Sequence, residues 1–196
     1  MSDTKKEEKK TVAVQDKPEI IGKVLFTQEQ IHERAKEIAA QIDRDFEGEE
    51  VILLGTLKGS LPWMVDLMKF MKTDAKIDFI SASSYGASTT SSGVVKISFD
   101  PTINMYNQNV VVIEDIVDTG RTLTYLLPKL MERGPKSVKL CTMLNKEARR
   151  TDRVEPDYIG FEVDDLFVIG YGLDFDQRFR GLPYISYLEE EDIEKL

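Results

Sequence analysis

Two patterns of apolar residues alternate along the chain. In residues 27–46, TQEQIHERAKEIAAQIDRDF, apolar side chains recur at three- and four-residue intervals, which predicts an amphipathic helix. Thr27 and Gln30 have the spacing of a capping box at the start of this helix. By contrast, EVILLGTL and NVVVIED (residues 50–57 and 109–115) contain continuous apolar runs, which are typical of strands covered on both faces.

The other segments continue this alternation of strands and helices. Further helices are predicted over residues 60–71, with Ser60 as the N-cap, and over about 120–133, where Pro128 should cause a kink or an early end. Further strands are predicted over residues 76–84, 93–99, 137–144, 157–163 and 166–173. The alternation predicts an α/β domain with a mostly parallel, twisted sheet and helices on both of its faces.

Composition and charge narrow the class of protein. The chain has 196 residues, of which 41% are hydrophobic and 31% charged, as in a single soluble globular domain. Its formal net charge of −9 argues against a general nucleic-acid or membrane surface. Residues 1–17 mix both charges with few apolar residues, so we expect a disordered arm there and one domain over residues 18–196.

Three further observations concern the cellular compartment. No apolar stretch reaches the roughly 18–20 residues that a membrane helix needs. The start of the chain, MSDTKKEEKK, has no apolar core of the kind found in a secretory signal. Cys141 is the single cysteine and lies in an apolar run, which favours a buried thiol over a disulfide. We therefore expect a cytoplasmic protein with no membrane or nucleic-acid partner.

Three acidic residues follow the most apolar of the predicted strands. They are Glu114, Asp115 and Asp118, in the stretch VVVIEDIVDTGRTL of residues 110–123. Open parallel sheets bind their ligands at the carboxyl ends of the strands, and this stretch brings its acids to that edge. The carboxylates of Glu114 and Asp115 can accept hydrogen bonds from sugar hydroxyls and can hold the water shell of Mg²⁺.

The DTGRT loop joins these acids to the next predicted helix. The N-terminus of a helix offers free backbone N–H groups and a partial positive charge, both of which favour a phosphate. Gly120 allows the backbone to approach closely, and Thr119 and Thr122 add hydroxyl donors. Acids and loop together predict a site for a magnesium-bound sugar phosphate.

The complete stretch resembles the phosphoribosyl-diphosphate motif of the type I phosphoribosyltransferases. That motif has four apolar residues, two acids, two apolar residues and then D-T-G-x-T. The resemblance implies that family's fold, with a small hood built from terminal segments and a purine-binding part at about residues 145–188. It also implies Mg²⁺ as the cofactor. The residues that it assigns to 5-phosphoribosyl 1-diphosphate are Glu114, Asp115, Asp118, Thr119, Gly120, Arg121 and Thr122.

Two more segments resemble the hypoxanthine-guanine branch of this family. GTLKGS, residues 55–60, is similar to a pyrophosphate-binding loop in which the peptide corresponding to Leu57–Lys58 is often cis, and this assigns Lys58 and Gly59 to pyrophosphate. SASSYGASTTSSG, residues 81–93, is similar to the mobile lid of the family, with Ser84-Tyr85 at the matching position. By composition alone, this second segment is simply a flexible loop.

The last part of the chain supplies the remaining residues of the resemblance. Lys146 matches the lysine that contacts the exocyclic oxygen of a 6-oxopurine, and Phe167 matches the ring that stacks on the purine. Val168 matches the residue whose backbone recognises the Watson–Crick edge of the base. Asp174 matches a magnesium ligand, and Arg180 matches the arginine that neutralises pyrophosphate. Without the resemblance, Lys146 would be a surface charge, and Phe167 and Val168 would belong to a strand core.

The resemblance implies an activity in purine salvage. The 5-phosphoribosyl group would move from 5-phosphoribosyl 1-diphosphate to N9 of hypoxanthine or guanine, giving IMP or GMP and pyrophosphate. Asp118, which faces N7 of the purine by the same match, is the candidate general acid or base. The ammonium group of Lys146 favours a carbonyl oxygen over an amino group, so 6-oxopurines should be preferred to adenine. Members of the family usually form homodimers or homotetramers.

Two alternatives stay open at this point. A regulator with the same fold that binds RNA or a protein would need a basic face, whereas this chain is acidic. A phosphoribosyltransferase for another base is the second alternative; Lys146 and Phe167 argue against adenine and uracil but leave xanthine open. The lone His32 lies away from every motif, so we expect it at the surface or in packing.

Overall fold

The computed structural model of the chain describes residues 21–84 and 95–194. The strands are β1 (Lys23–Phe26), β2 (Val51–Thr56), β3 (Lys76–Ser84), β4 (Val95–Phe99), β5 (Asn109–Val117), β6 (Ser137–Asn145), β7 (Tyr158–Glu162), β8 (Phe167–Ile169) and β9 (Ile185–Leu188). The helices are α1 (Gln28–Asp45), α2 (Leu61–Phe70), α3 (Arg121–Met131) and α4 (Glu190–Ile193), and a 3-10 turn covers Glu147–Arg149.

Six of these strands form the central sheet, in the order β4-β3-β2-β5-β6-β7. Every neighbouring pair is parallel except β3 and β4, which are antiparallel. The predicted mostly parallel α/β architecture is therefore confirmed. Its parallel strands bring their carboxyl ends to one edge, which is the edge at which the acidic stretch was expected.

Strand β5 shows why its apolar run is continuous. Val111 and Ile113 belong to the core cluster that includes residues of α1 and α2. Val110 and Val112 belong to a second cluster, which includes residues of α3. Because successive side chains of a strand point to opposite faces, a sheet covered by helices on both sides needs apolar residues at every position.

The starts of the helices agree with the sequence to different degrees. The capping box of α1 is present, since Thr27 caps the Gln30 amide and the Gln30 side chain accepts from the Thr27 amide. Ser60 is the N-cap residue of α2, as predicted, but its side chain makes no capping hydrogen bond, because its hydroxyl donates to the carbonyl of Thr56 at 2.6 Å. Helix α3 passes through Pro128 and ends at Met131, so of the two outcomes predicted at this proline the early end does not occur, and the kink stays a prediction.

A second, antiparallel sheet has the order β1-β9-β8 and joins the two ends of the described chain. Of the strand predicted over residues 166–173, only Phe167–Ile169 is extended. The rest forms a turn, because Gly170, Tyr171 and Gly172 all have positive φ, which a strand does not accommodate.

Several predictions concern single residues or segments. The Cys141 thiol is buried, as predicted. Residues 1–17, predicted as an arm, and Tyr85 of the predicted lid lie outside the described residues. In the two described segments, no helix is both long enough and apolar enough to cross a membrane.

Candidate active site

A cleft of about 330 Å³ opens where β2 and β5 end. Its lining comes from the loop after β2, from the end of β5 with the loop into α3, and from the turn after β8. The lining residues are 56–59, 82, 114–123, 126, 174 and 180. This set contains every residue that the sequence assigns to the diphosphate, to pyrophosphate or to magnesium, although these residues lie on segments far apart in the chain.

Two acids of β5 lie at the base of the cleft. Oε2 of Glu114 is 2.5 Å from the hydroxyl of Thr56, and Oδ1 of Asp115 accepts from the Ile116 amide at 2.9 Å. Burial raises the pKa of Glu114, and the neighbouring charge of Asp115 adds to this effect. Burial also raises the pKa of Asp115. Two adjacent carboxyl groups with raised pKa values gain from a cation or from donors on a ligand.

The phosphate loop turns at Gly120, which has a φ of 82°. A side chain at this position would require a disfavoured backbone conformation, and its Cβ would lie 2.9 Å from the carbonyl oxygen of Asp152. The Thr124 amide donates to the Gly120 carbonyl at 2.9 Å and begins the hydrogen bonding of α3. The N–H groups before it lie at the helix terminus, where helices bind anions.

Arg150 holds this loop from behind, a role that the sequence did not indicate. Its Nε donates to the carbonyl of Asp118 at 3.0 Å, and its Nη2 donates to the carbonyl of Val117 at 3.3 Å. Nη2 also contacts Oδ1 of Asn145 at 2.5 Å, and Nη1 donates to the carbonyl of Val154. Three of these four acceptors are backbone carbonyls, which every residue supplies, so no sequence pattern distinguishes Arg150 from a surface arginine.

The loop after β2 forms another part of the lining of the cleft. The peptide between Leu57 and Lys58 is cis, as the family resemblance implies. Nζ of Lys58 donates to Oε1 of Gln177 at 3.0 Å. Gly59 lies against the acid pair: a Cβ on this residue would be 1.6 Å from Oδ2 of Asp115. The absence of a side chain at Gly59 therefore allows this loop to meet the acid pair.

Asp174 and Arg180 come from the turn after β8. Nη2 of Arg180 lies 2.6 Å from Oδ1 of Asp174, and Oδ2 of Asp174 accepts from the Gln177 amide at 2.9 Å. Nη1 of Arg180 donates to the carbonyl of Gly172 at 2.6 Å. The predicted metal ligand and the predicted pyrophosphate arginine thus form an ion pair at the cleft.

The residues predicted to bind the purine lie outside the lining of the cleft. The Lys146 amide donates to the carbonyl of Val117 at 2.9 Å, next to Asp118. Its Nζ, however, donates to the carbonyl of Leu166 at 2.6 Å. Phe167 is 44% exposed, whereas Val168 is buried. The lysine is therefore anchored beside the acidic stretch, and an exposed aromatic ring is available near it.

Asp118 differs from the acid pair in its surroundings. Its Oδ1 is buried and has no hydrogen-bond partner among the described residues. Nε of Arg149 is 3.8 Å from this oxygen, which is too long for a hydrogen bond. A buried carboxylate oxygen without a donor is a group that a ligand N–H can satisfy.

The donor set suits a metal that arrives with a phosphate ligand. Glu114 and Asp115 supply carboxylate oxygens, the ligands that Mg²⁺ prefers, and their raised pKa values favour a neighbouring cation. Across residues 21–84 and 95–194, no group of three His, Cys, Asp or Glu side chains could hold a metal ion. Mg²⁺ is commonly bound by one or two carboxylates together with substrate phosphates, so the acid pair fits this ion.

Comparisons with known proteins identify the family of the chain. Residues 25–176 match the family described as the phosphoribosyl transferase domain. The chain is 43% identical over 171 residues to a hypoxanthine-guanine phosphoribosyltransferase of Streptococcus mutans, a match that covers 87% of this chain and 95% of that protein. A crystal structure of a hypoxanthine-guanine phosphoribosyltransferase from Bacillus anthracis is 44% identical with a TM-score of 0.83, and covers 87% of this chain and 100% of the other.

Two further relatives extend these comparisons. The structure of a hypoxanthine phosphoribosyltransferase from Staphylococcus aureus has a TM-score of 0.84 at 40% identity, and covers 87% of this chain and 93% of the other. The bifunctional protein TilS/HprT of Listeria monocytogenes is 45% identical over 171 residues. That match covers 87% of this chain but only 26% of the bifunctional protein, so the chain spans about a quarter of that relative's length.

Proposed function

The chain belongs to the phosphoribosyltransferase family, in its hypoxanthine-guanine branch, and on this premise we propose that it makes purine nucleotides. It transfers the 5-phosphoribosyl group of 5-phosphoribosyl 1-diphosphate to N9 of a 6-oxopurine, either hypoxanthine or guanine. The products are IMP or GMP and pyrophosphate, and the reaction serves purine salvage.

One observation carries this proposal: a single cleft contains an acid pair, a phosphate loop and a second anion subsite. A plain phosphate-binding protein would need only the loop. The second subsite, at Lys58, Gly59 and Arg180, comes from other segments of the lining than the loop that ends at Thr122. A sugar that carries a phosphate at one end and a diphosphate at the other matches this division into two anion sites.

Each wall of the cleft would bind one part of the diphosphate substrate. The residues from Asp118 to Thr122 would hold the 5-phosphate at the start of α3. Glu114 and Asp115 would accept hydrogen bonds from the ribose hydroxyls. The guanidinium of Arg180 would neutralise the pyrophosphate as the C1–O bond lengthens.

Asp118 is the candidate general acid or base. The buried Oδ1 of Asp118 lacks a hydrogen-bond partner in the described part of the chain, and N7 of a purine would supply or receive a proton there. Lys146 would leave the carbonyl of Leu166 to donate to the 6-oxo group, and Phe167 would stack on the base. Ser84 and Tyr85 would belong to a lid that keeps water from the reacting carbon.

We further propose Mg²⁺ as the cofactor, which Glu114, Asp115 and Asp174 would hold together with the phosphates of the substrate, since acid side chains alone form no three-ligand site in the described residues. When bound, Mg²⁺ supplies positive charge that stabilises the departing pyrophosphate. We also propose the hood at about residues 145–188 and the dimeric or tetrameric state, which rest on the family, and the N-terminal arm and the cytoplasmic location, which rest on the sequence alone.

The experiment is a stoichiometric assay with the purified chain. IMP and pyrophosphate are quantified in the same reaction from hypoxanthine, 5-phosphoribosyl 1-diphosphate and Mg²⁺, and we expect equal amounts of the two products. Chelation of Mg²⁺ should stop both. Pyrophosphate released without nucleotide would indicate hydrolysis rather than transfer, and retention of RNA without any nucleotide synthesis would favour a regulator.

A further inference from the structure

The turn after β8 has an unusual backbone. Gly170, Tyr171 and Gly172 have φ values of 92°, 50° and 102°, so three successive residues lie in the left-handed region. Glycine adopts this conformation readily, whereas an L-residue with a bulky side chain does so at a cost. A tyrosine in this conformation indicates stabilising tertiary contacts: the Tyr171 amide donates to the carbonyl of Leu182 at 3.0 Å, and its side chain makes further contacts.

Those contacts are made with helix α2. Tyr171 is 6% exposed, and its hydroxyl donates to Oδ2 of Asp66, which is 4% exposed. The same carboxylate lies 3.4 Å from Nε2 of His32 and 3.5 Å from Nζ of Lys69. Asp66 is therefore a buried acid whose contacts join α1, α2 and the turn, and the proposed reaction does not otherwise use it.

Gly172, the residue after Tyr171, contacts two of the residues assigned to pyrophosphate, Gly59 and Arg180. A Cβ on Gly172 would lie 1.9 Å from the carbonyl oxygen of Gly59, so the two backbones are in direct contact. The Gly172 amide donates to the carbonyl of Arg180 at 2.9 Å. The Gly172 carbonyl in turn accepts from Nη1 of Arg180 at 2.6 Å.

Helix α2 itself begins directly after the loop that contains Gly59. The Tyr171 hydroxyl therefore ties the turn to the same helix that continues from the pyrophosphate loop. These three parts are therefore connected in a ring of contacts. The loop leads into α2, α2 binds Tyr171, and the turn that contains Tyr171 packs on the loop and binds Arg180.

We propose that Tyr171 and Asp66 are a positioning pair for the pyrophosphate subsite. Neither side chain reaches the substrate; their hydrogen bond fixes Gly172 between Gly59 and Arg180, and so sets the separation of the backbone and guanidinium groups that hold the pyrophosphate. The inference rests on the proposed function for the identity of the ligand. It assigns a role to two buried residues that act only through others.

The test uses Tyr171→Phe, which removes one oxygen and keeps the ring. We expect the KM for 5-phosphoribosyl 1-diphosphate, and the KM for pyrophosphate in the reverse reaction, to rise about tenfold, as for the loss of a hydrogen bond to a charged group. The KM for hypoxanthine should change less than about twofold, because in the described segments the Tyr171 hydroxyl and Asp66 form no hydrogen bond or ion pair with the residues assigned to the purine.

Two further variants separate positioning from general structure. Asp66→Asn keeps an acceptor for the tyrosine hydroxyl and should retain most of the diphosphate affinity, whereas Asp66→Ala should match Tyr171→Phe. Tyr106→Phe is the matched control, because Tyr106 is 71% exposed, and it should alter none of the constants. Should Asp66→Ala fail to fold, the contrast between Tyr171→Phe and Asp66→Asn still decides.

Unchanged KM values in Tyr171→Phe would overturn the proposal, as would an equal rise for diphosphate and hypoxanthine. Calorimetric titration of pyrophosphate with Mg²⁺ into each variant gives a second readout that needs no turnover. If the unaltered chain makes no nucleotide, the proposed function fails; the titration still tests the pair, since Tyr171→Phe should bind pyrophosphate about tenfold more weakly than the unaltered chain.

Discussion

The contact between Gly59 and Asp115 gives a sharp test of how the cleft is built. In Gly59→Ala the new methyl group would be 1.6 Å from Oδ2 of Asp115, 2.5 Å from its Cγ and 3.1 Å from its Cβ. These three nearest atoms all belong to one side chain. Gly59 is not among the glycines with positive φ, so alanine meets no backbone strain at this position. The Asp115 carboxylate must therefore turn away, and the rest of the site can stay in place.

The expected magnitude follows from what the displaced carboxylate would do. A hydrogen bond to a charged group contributes about 1.5–3 kcal/mol. At about 1.4 kcal/mol per factor of ten, loss of the proposed ribose and magnesium contact of Asp115 should raise the KM for the diphosphate roughly 10- to 100-fold. The KM for hypoxanthine should change little. Stability should also change little, because the end of a side chain can move without opening the core.

Gly48→Ala is the matched control, because it makes the same substitution at a position where the cost is backbone strain and not a clash with a side chain. Gly48 has a φ of 76°, and an added Cβ would meet nothing within 4 Å. The left-handed backbone should cost this variant about 1 kcal/mol, which lowers Tm by roughly 2–4 °C in a domain of this size. Its KM values should stay unchanged. Steady-state kinetics with each substrate varied in turn, together with thermal denaturation, measure both effects.

Gly59→Ala should thus raise the KM for the diphosphate and leave Tm nearly unchanged, whereas Gly48→Ala should lower Tm and leave the KM values unchanged. A diphosphate KM in Gly59→Ala that stays within twofold of normal would refute the assignment of Asp115 to this substrate. A parallel rise in the hypoxanthine KM would refute the separation of the two subsites.

Three further predictions concern the acids and the lysine. Asp118→Asn should retain the diphosphate KM and lose about 10²- to 10⁴-fold in kcat, the usual contribution of a general acid or base; near-normal turnover would remove Asp118 from the chemistry. Lys146→Ala should raise the KM for guanine and hypoxanthine more than that for the diphosphate, and equal changes would contradict its role in recognising the base. Burial raises the pKa of both Glu114 and Asp115, so without a cation the folded chain binds more protons than the unfolded chain. Their contribution to stability is then fully present below their ordinary pKa values and is lost as pH rises through the raised ones. Mg²⁺ with the diphosphate should therefore raise Tm more at pH 8 than at pH 6 in thermal scans, whereas equal shifts would argue against binding of the cation at this pair.

How far each element could be predicted depends on how local its causes are. Helix α1 carries its own signals, namely an apolar face and the Thr27–Gln30 capping box, and its bounds agree with them. Strands β1 and β9 were missed because each has only four residues and depends on pairing with other strands: β1 pairs with β9, more than 150 positions away, and β9 lies between β1 and β8. The turn at Tyr171 was taken for a strand, since apolar residues fill it and tertiary contacts determine its φ.

The site residues also differ in whether local sequence or distant contacts determine their role. The acidic stretch of β5 is contiguous, so one motif predicted the residues from Glu114 to Thr122 that line the cleft. Arg150 could not be found in this way, because its guanidinium binds backbone carbonyls, and any sequence supplies those. The sequence did not indicate Asp66 either, because its partner is a tyrosine 105 positions away.

The most direct test of the central claim compares bases at fixed diphosphate and Mg²⁺. The value of kcat/KM for nucleotide formation is measured with hypoxanthine, guanine, xanthine, adenine and uracil. A Lys146 ammonium that exchanges the carbonyl of Leu166 for the 6-oxo group of the base should favour hypoxanthine and guanine, with adenine at least about 10²-fold poorer, because the amino group of adenine offers no acceptor. Uracil should also be poorer, because its single ring offers Phe167 less area for stacking. The value of kcat/KM for xanthine then shows how the chain discriminates among the three oxopurines. No nucleotide from either hypoxanthine or guanine, or adenine as the best substrate, would contradict the account.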